Sequence, residues 1–161
     1  MPKAPNTAAA SGWTVWPPAA SFFIFEVDGV EIGAFTAVQG LQVEVDVVEY
    51  VEGGTNGYVH RLPGRVRWPN VVLRRGITKS DALFDWFKKT IESFGDKGNK
   101  LERCTGAITL LDEAGVRLRS WEMEGAFPVA WRGPELNADG DAASREELEI
   151  GHHGFRAATF G

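Results

Sequence analysis

The chain has 161 residues, enough for one domain with a short additional segment, since compact domains commonly contain about 100 to 200 residues. Hydrophobic residues make up 43% of it, with six Trp and ten Phe, which excludes a chain that is disordered throughout. The formal net charge of −5 argues against sequence-specific DNA binding, which depends on clustered Lys and Arg.

Residues 1–20 are rich in Ala and Pro and follow neither a helical nor a strand period. They predict a flexible N-terminal arm ahead of a β domain at 21–161. Trp13 and Trp16 suggest that this arm docks on its own domain or on a neighbour. The N-terminus lacks the apolar run of a signal peptide, and no stretch of about 18 apolar residues occurs, so we expect folding in the cytoplasm without membrane insertion.

Strand patterns begin directly after this arm. Asp28-Gly29 between two apolar runs predicts a β-hairpin with a type I′ turn. From Leu41 to Val47 apolar and polar residues alternate, which predicts a strand with one buried and one wet, acidic face. The phase slips at Val47-Val48, where we expect a bulge or a strand that changes environment.

A glycine-rich loop at 52–57 follows, and the next strand region, 66–73, contains Pro69, which predicts an edge or interrupted strand. The segment Thr78-Lys-Ser-Asp81 has the pattern of a helix N-cap. It predicts a helix that begins there and ends at Gly95. Helical spacing predicts one broad apolar face that contains most of the residues Leu83, Phe84, Trp86, Phe87, Ile91 and Phe94.

The C-terminal third again predicts strands: 107–111, 116–123 with a bulge, 127–131 and 145–150. In the last of these Leu148 and Ile150 point inward, and Glu147 and Glu149 point outward. The sum is a mainly β (α+β) fold with two packed antiparallel β-sheets or a barrel and one flanking helix.

Candidate sites for chemistry have simpler structural explanations. His152 and His153 are adjacent, so one metal ion cannot readily take both, and we expect surface or interface histidines. The acidic pairs on strand faces require no catalytic role, and neither a Gly-x-Ser-x-Gly elbow nor a P-loop occurs. Cys104, the single cysteine, is expected to be a small buried hydrophobic residue. We therefore predict no catalytic residue, no metal and no cofactor.

Sheet edges that remain open can pair with other copies of the chain, so oligomerisation is the function that the residues favour. Several segments, in order and spacing, resemble the tail tube protein family of contractile-tailed phages and phage-tail-like extracellular injection systems. The resemblance spans about residues 21–155, and its most specific parts are 25–33, 39–41, 47–57, 61–64 and 73–78, followed by 110–115, 126–129 and 131–137.

The resemblance implies a non-enzymatic subunit whose six copies close a ring around a β-barrel lumen. Rings would stack inside a contractile sheath, with baseplate, spike and terminator proteins as partners and protein cargo or DNA in the lumen. The particle would be a phage tail or an injection system assembled from subunits made in a bacterial cytoplasm. An alternative is a tube initiator or terminator of the same machine, and an enzyme or small-ligand binder is a third class.

The resemblance also implies a protruding arm at residues 49–64 that contacts adjacent subunits and rings. A glycine-rich segment of this length in a small domain needs an external partner to order it. The predicted contact residues are Glu49, Tyr50, Gly53, Gly54, Asn56, Gly57, Tyr58, Arg61, Pro63 and Gly64. A further hypothesis, based on charge alternation, is that the lumen-facing residues include Glu44, Asp46, Glu147 and Glu149.

Overall fold

The computed structural model describes residues 22–51, 53–54, 57–96, 103–134 and 145–159. Within these ranges the chain forms strands and one helix. The elements are β1 (Phe22–Val27), β2 (Val30–Phe35), β3 (Ala37–Gln39), β4 (Glu44–Tyr50), β5 (His60–Arg67), β6 (Val71–Gly76), α1 (Ala82–Asp96), β7 (Cys104–Leu111), β8 (Arg117–Arg132), β9 (Arg145–Gly151) and β10 (Phe155–Thr159).

Strand β8 joins two antiparallel sheets. Its first half pairs with β7 on one side and β10 on the other, and its second half pairs with β9. The resulting order is β2-β1-β7-β8-β9-β6-β3, and β4 and β5 form a separate two-stranded sheet. The segments predicted as two strands, 116–123 and 127–131, are one strand that continues through a bulge at Gly125, where φ is +63°.

One apolar core lies between the two sheets. Phe25 and Ile108 from one sheet, Leu73 and Ile150 from the other, and Leu83 from α1 are almost fully buried in it. Burying a side chain of this size stabilises the fold by about 1.5 to 3 kcal/mol. The predicted fold class, a mainly β fold of two packed antiparallel sheets with one flanking helix, is confirmed.

The first hairpin has the predicted turn. Asp28 and Gly29 both have positive φ, +49° and +80°, as a type I′ turn requires. The Asp28 carboxylate also accepts a hydrogen bond from the Thr105 amide, 2.8 Å away, which fixes the turn against the start of β7.

The helix buries a narrower stripe than the sequence predicts. Leu83 and Trp86 are buried, whereas Phe84 and Ile91 remain 50% and 55% exposed. The helix covers the core with one edge only, so these two side chains, which flank the stripe, stay about half exposed. It ends at Asp96, one residue beyond the predicted Gly95.

Two short strands, β3 and β10, have no counterpart in the sequence prediction, because neither carries a run of alternating apolar residues. The strand predicted from Leu41 begins instead at Glu44, and neither of its faces is buried. Pro69 lies between β5 and β6, which confirms the predicted interruption.

We predict that Gly40→Ala destabilises the protein by about 3 to 5 kcal/mol, through left-handed backbone strain and overpacking. Gly40 has φ of +85°, and an added Cβ would clash with the Asn70 carbonyl oxygen. Gly29→Ala is the matched control, with φ of +80° and no heavy atom within 4 Å of the added Cβ. It should cost only about 1 to 2 kcal/mol. The free energy of unfolding of both variants is measured by urea unfolding. If the two variants lose equal amounts, the clash with the Asn70 carbonyl oxygen does not explain the need for glycine at position 40.

Candidate assembly hairpin and charged sheet face

Strands β4 and β5 form a hairpin that makes no extensive contact with the other described elements, and we call it the assembly hairpin (44–67). Val45 pairs with Val66 and Val47 pairs with Pro63, so β5 carries one extra residue opposite Asp46. The irregularity expected near Val47-Val48 therefore lies one to two residues earlier. Gly64 permits it, because an added Cβ would lie 3.0 Å from the Asp46 carbonyl oxygen.

The predicted arm residues that the structure describes lie on this hairpin. Glu49 pairs with Arg61 in the ladder, and their side chains form an exposed ion pair of 3.2 Å. Tyr50 pairs with His60, whose ring contacts that of Tyr58 at 4.9 Å between centroids. Glycines 53, 54 and 57 lie in the connection between the strands, and Asn56 lies outside the described residues.

Apolar side chains are exposed on both faces of the assembly hairpin. Val45 is 48% exposed, Val47 56% and Leu62 54%. Others with similar exposure are Val43, Val48, Tyr50, Val51, Tyr58, Val59 and Val66. The predicted strand with one buried face is thus wrong for the isolated chain, because no other described element covers the valines. A concentration of exposed apolar side chains is typical of interaction sites, and a lone two-stranded hairpin is only marginally stable in water.

The outer face of the β6–β9–β8 sheet carries a ladder of ion pairs. Glu147 accepts hydrogen bonds from Arg74 at 2.7 Å and Arg132 at 2.8 Å. Glu149 accepts hydrogen bonds from Asn70 at 2.8 Å and Arg132 at 2.9 Å. The negative charges of these two carboxylates are thus balanced by two guanidinium groups, and the four side chains belong to three neighbouring strands.

Hydrogen bonds within this ladder shift the pKa values of its charged side chains. The Arg74 guanidinium lowers the pKa of Glu147, and the Asn70 amide, followed by Arg132, lowers that of Glu149. The pKa of Arg132 is raised, chiefly by its hydrogen bond to Glu149. Both carboxylates therefore stay ionised in mild acid.

The four predicted lumen residues do not lie together. Glu147 and Glu149 share the sheet face, whereas Glu44 and Asp46 lie on the assembly hairpin. Asp46 forms an ion pair with Arg67 at 2.9 Å, and Glu44 accepts a hydrogen bond from Gln42 at 3.2 Å. Sequence reasoning found the acidic residues but missed their Arg partners, although Arg74 and Arg132 also stand at outward positions of strands.

The two adjacent histidines differ in burial. His153 is exposed, but His152 is only 8% exposed, so the prediction of a surface or interface residue is wrong for it. Its ring packs against Trp68 and Phe155, two aromatic residues that β-pairing brings together from distant parts of the sequence. Cys104 is half-buried against the core.

No group of three or more His, Cys, Asp or Glu side chains suited to a metal ion occurs in the described part of the chain. A groove between α1 and the first hairpin is lined mainly by apolar side chains, among them Val27, Ile32 and Trp86. Within the described ranges no helix is long and apolar enough to cross a bilayer.

The described residues thus form a two-sheet β domain with one flanking helix and a self-paired apolar hairpin. The model of the T4-like virus tail tube protein gp19 family matches residues 19–156, and the chain belongs to this family. The resemblance predicted from the sequence motifs is confirmed.

Solved structures agree with this assignment. A chain of the PVC extracellular contractile injection system sheath–tube complex in the extended state is 26% identical, with TM-score 0.73, covering 91% of this chain and 95% of its own. A chain of the PVC sheath/tube terminator is 26% identical, with TM-score 0.72 and coverage of 89% and 98%. The anti-feeding prophage tube-terminating cap shares the fold at 24% identity, TM-score 0.73 and coverage of 96% and 99%. No protein of curated function matches the chain.

We predict that Glu147→Gln lowers the free energy of unfolding by less than about 1 kcal/mol near pH 7, since partly exposed ion pairs contribute little. The folded-state pKa of Glu147 lies below its ordinary value of 4.5. Its contribution is therefore present above that value and is lost as pH falls through the lowered pKa. Urea unfolding from pH 7 to 3 should show the parent and variant converging in acid. Glu113→Gln, in an exposed turn, is the control, and a parent–variant difference that persists at pH 3 would contradict the assignment.

Proposed function

We propose that six copies of this chain close a ring and that rings stack into the inner tube of a phage tail or contractile injection system. The assembly hairpin is the observation that carries this proposal. Among the described residues its apolar side chains are exposed on both faces and its two outer edges pair with no other strand, so a second copy of the chain is the partner that would complete its burial. The proposed contact would combine apolar packing with flanking ion pairs such as Arg61–Glu49.

The proposed arm residues would act in three groups. Tyr50 and Tyr58 supply exposed aromatic surface, which interfaces favour because a large area becomes buried at low entropic cost. Gly53, Gly54 and Gly57 have open space around them, which leaves room for a neighbour to approach the backbone. Glu49 and Arg61 would fix the register at the rim.

A sheath and a baseplate are the further partners that we propose, because similar chains occur in a PVC sheath–tube complex and in the anti-feeding prophage baseplate. We propose no catalytic step, since the acidic pairs on the sheet face are held by Arg and Asn side chains. Protein cargo or DNA would pass through the lumen.

A second candidate function is a tube initiator or terminator. Similar chains also occur in a tube-terminating cap and in a sheath/tube terminator complex. Such a subunit would share the fold and form one ring, but it would not stack without limit.

We predict that Val47→Asp with Leu62→Lys prevents ring or tube formation and leaves the monomer folded. Both side chains are more than half exposed in the single chain, so charge there costs little until a partner buries it. Negative-stain electron microscopy and sedimentation should show rings or hollow tubes for the parent and monomers for the variant.

The matched control for this experiment is Val116→Lys, which changes a valine of similar exposure, 55%, in the β7–β8 turn. It should assemble like the parent. Normal tubes from the hairpin variant would overturn the proposed contact, and single rings that never stack in the parent would favour the initiator or terminator.

For the lumen, we propose that Glu147 and Glu149 line the channel, with Glu44 and Asp46 near the ring contacts or the channel wall. A cryo-EM map of the tube should then show the Glu147 and Glu149 side chains at a smaller radius than the core residue Leu148. If the map puts all four acidic residues on the sheath side, the lumen hypothesis is wrong.

A further inference from the structure

The assembly hairpin is joined to the body by two short connections, 40–43 and 68–70. At the second connection Trp68 leaves β5 and packs its indole against the residues that link β9 to β10. The indole lies 5.1 Å from the Phe155 ring and 6.2 Å from the His152 ring, measured between centroids. Gly154 has φ of +132°, and an added Cβ there would lie 3.1 Å from the indole, so glycine allows the close contact.

His152 holds the next residue of the same connection. Its Nε2 lies 3.0 Å from the Pro69 carbonyl oxygen, and its Nδ1 accepts a hydrogen bond from the Gly154 amide at 3.1 Å. A carbonyl oxygen can only accept and an amide N–H can only donate. The two contacts together therefore require the neutral imidazole with its proton on Nε2.

Protonation of His152 would break this arrangement. A proton on Nδ1 would face the Gly154 N–H, so two donors would oppose each other in a buried site. Charged side chains on the surrounding elements have other partners: Glu149 binds Asn70 and Arg132, Glu124 forms an ion pair with Arg156, and Arg103 donates to the Gly125 carbonyl. Both polar contacts of the imidazole are made to backbone atoms.

We propose that His152 is a positioning residue for the assembly hairpin, holding it at a fixed angle while the imidazole is neutral and releasing it when the imidazole is protonated. This proposal rests on the hairpin being the assembly element.

The test measures the hairpin directly in the full-length monomer. Spin labels at Tyr58→Cys on the hairpin and Val116→Cys on the body occupy exposed sites, and Cys104→Ala removes the one native thiol. The chain has three His, so His60→Gln and His153→Gln leave His152 as the only imidazole. Electron–electron distance distributions are recorded at pH 7.5 and pH 5 under conditions that keep the protein monomeric.

We expect a narrow distance distribution at pH 7.5 that becomes at least about twofold broader at pH 5, since releasing the connection opens a local low-stability segment. His152→Gln keeps an uncharged amide donor toward Pro69, so its distribution should be the same at both pH values. His152→Ala should be broad at both, with circular dichroism checking that it remains folded. Restoring His153 in place of Gln should leave the distance distributions at both pH values unchanged.

A parent distribution that stays unchanged between pH 7.5 and 5 would overturn the proposal, as would a His152→Gln variant that broadens like the parent. Because the measurement is made on monomers, its outcome is separate from tube formation. A pH-dependent hairpin in a protein that never forms rings would retain the role of His152 and reject the proposed assembly.

Discussion

The continuity of β8 is the constraint on which the rest of the structure depends. The first half of this strand pairs with β7 on one side and β10 on the other, and the second half pairs with β9. The strand therefore belongs to both sheets and fixes their relative position. The bulge at Gly125 changes the strand's direction without ending it, which lets the two sheets face each other across a single core. A break in β8 would separate the sheets and expose the aromatic residues between them.

Once the sheets are joined in this way, the hairpin 44–67 has no place in either of them. Its two strands pair with each other, but its apolar side chains are left exposed in the described chain. In the proposed tube this combination would separate folding from assembly: the core residues hold the monomer together, and the hairpin valines would contribute only when another subunit covers them. A tube subunit requires this division, because it must remain folded before it polymerises.

Local sequence signals predicted the elements that local physics determines. Asp28-Gly29 favours a type I′ turn, Pro69 has no N–H to donate to a ladder, and Leu148 and Glu147 point to opposite faces of their strand whatever the tertiary context. The alternation around Val45 correctly predicted a strand, but the prediction that one of its faces is buried within the chain was wrong. Alternation indicates that one face is apolar and does not show whether the same chain or another subunit covers it. The same pattern would arise in a core strand and in a strand buried only between subunits.

Contacts between residues far apart in the chain could not be predicted from local patterns. Arg74 and Glu147 are 73 residues apart, and Pro69 and His152 are 83 apart, and only the pairing of β6 with β9 brings them together. In both cases a side chain that looked like an ordinary surface residue is held by a partner that the topology supplies. The buried imidazole beside the hairpin connection therefore follows from the sheet order, which makes the geometry of the assembly element a property of the whole fold.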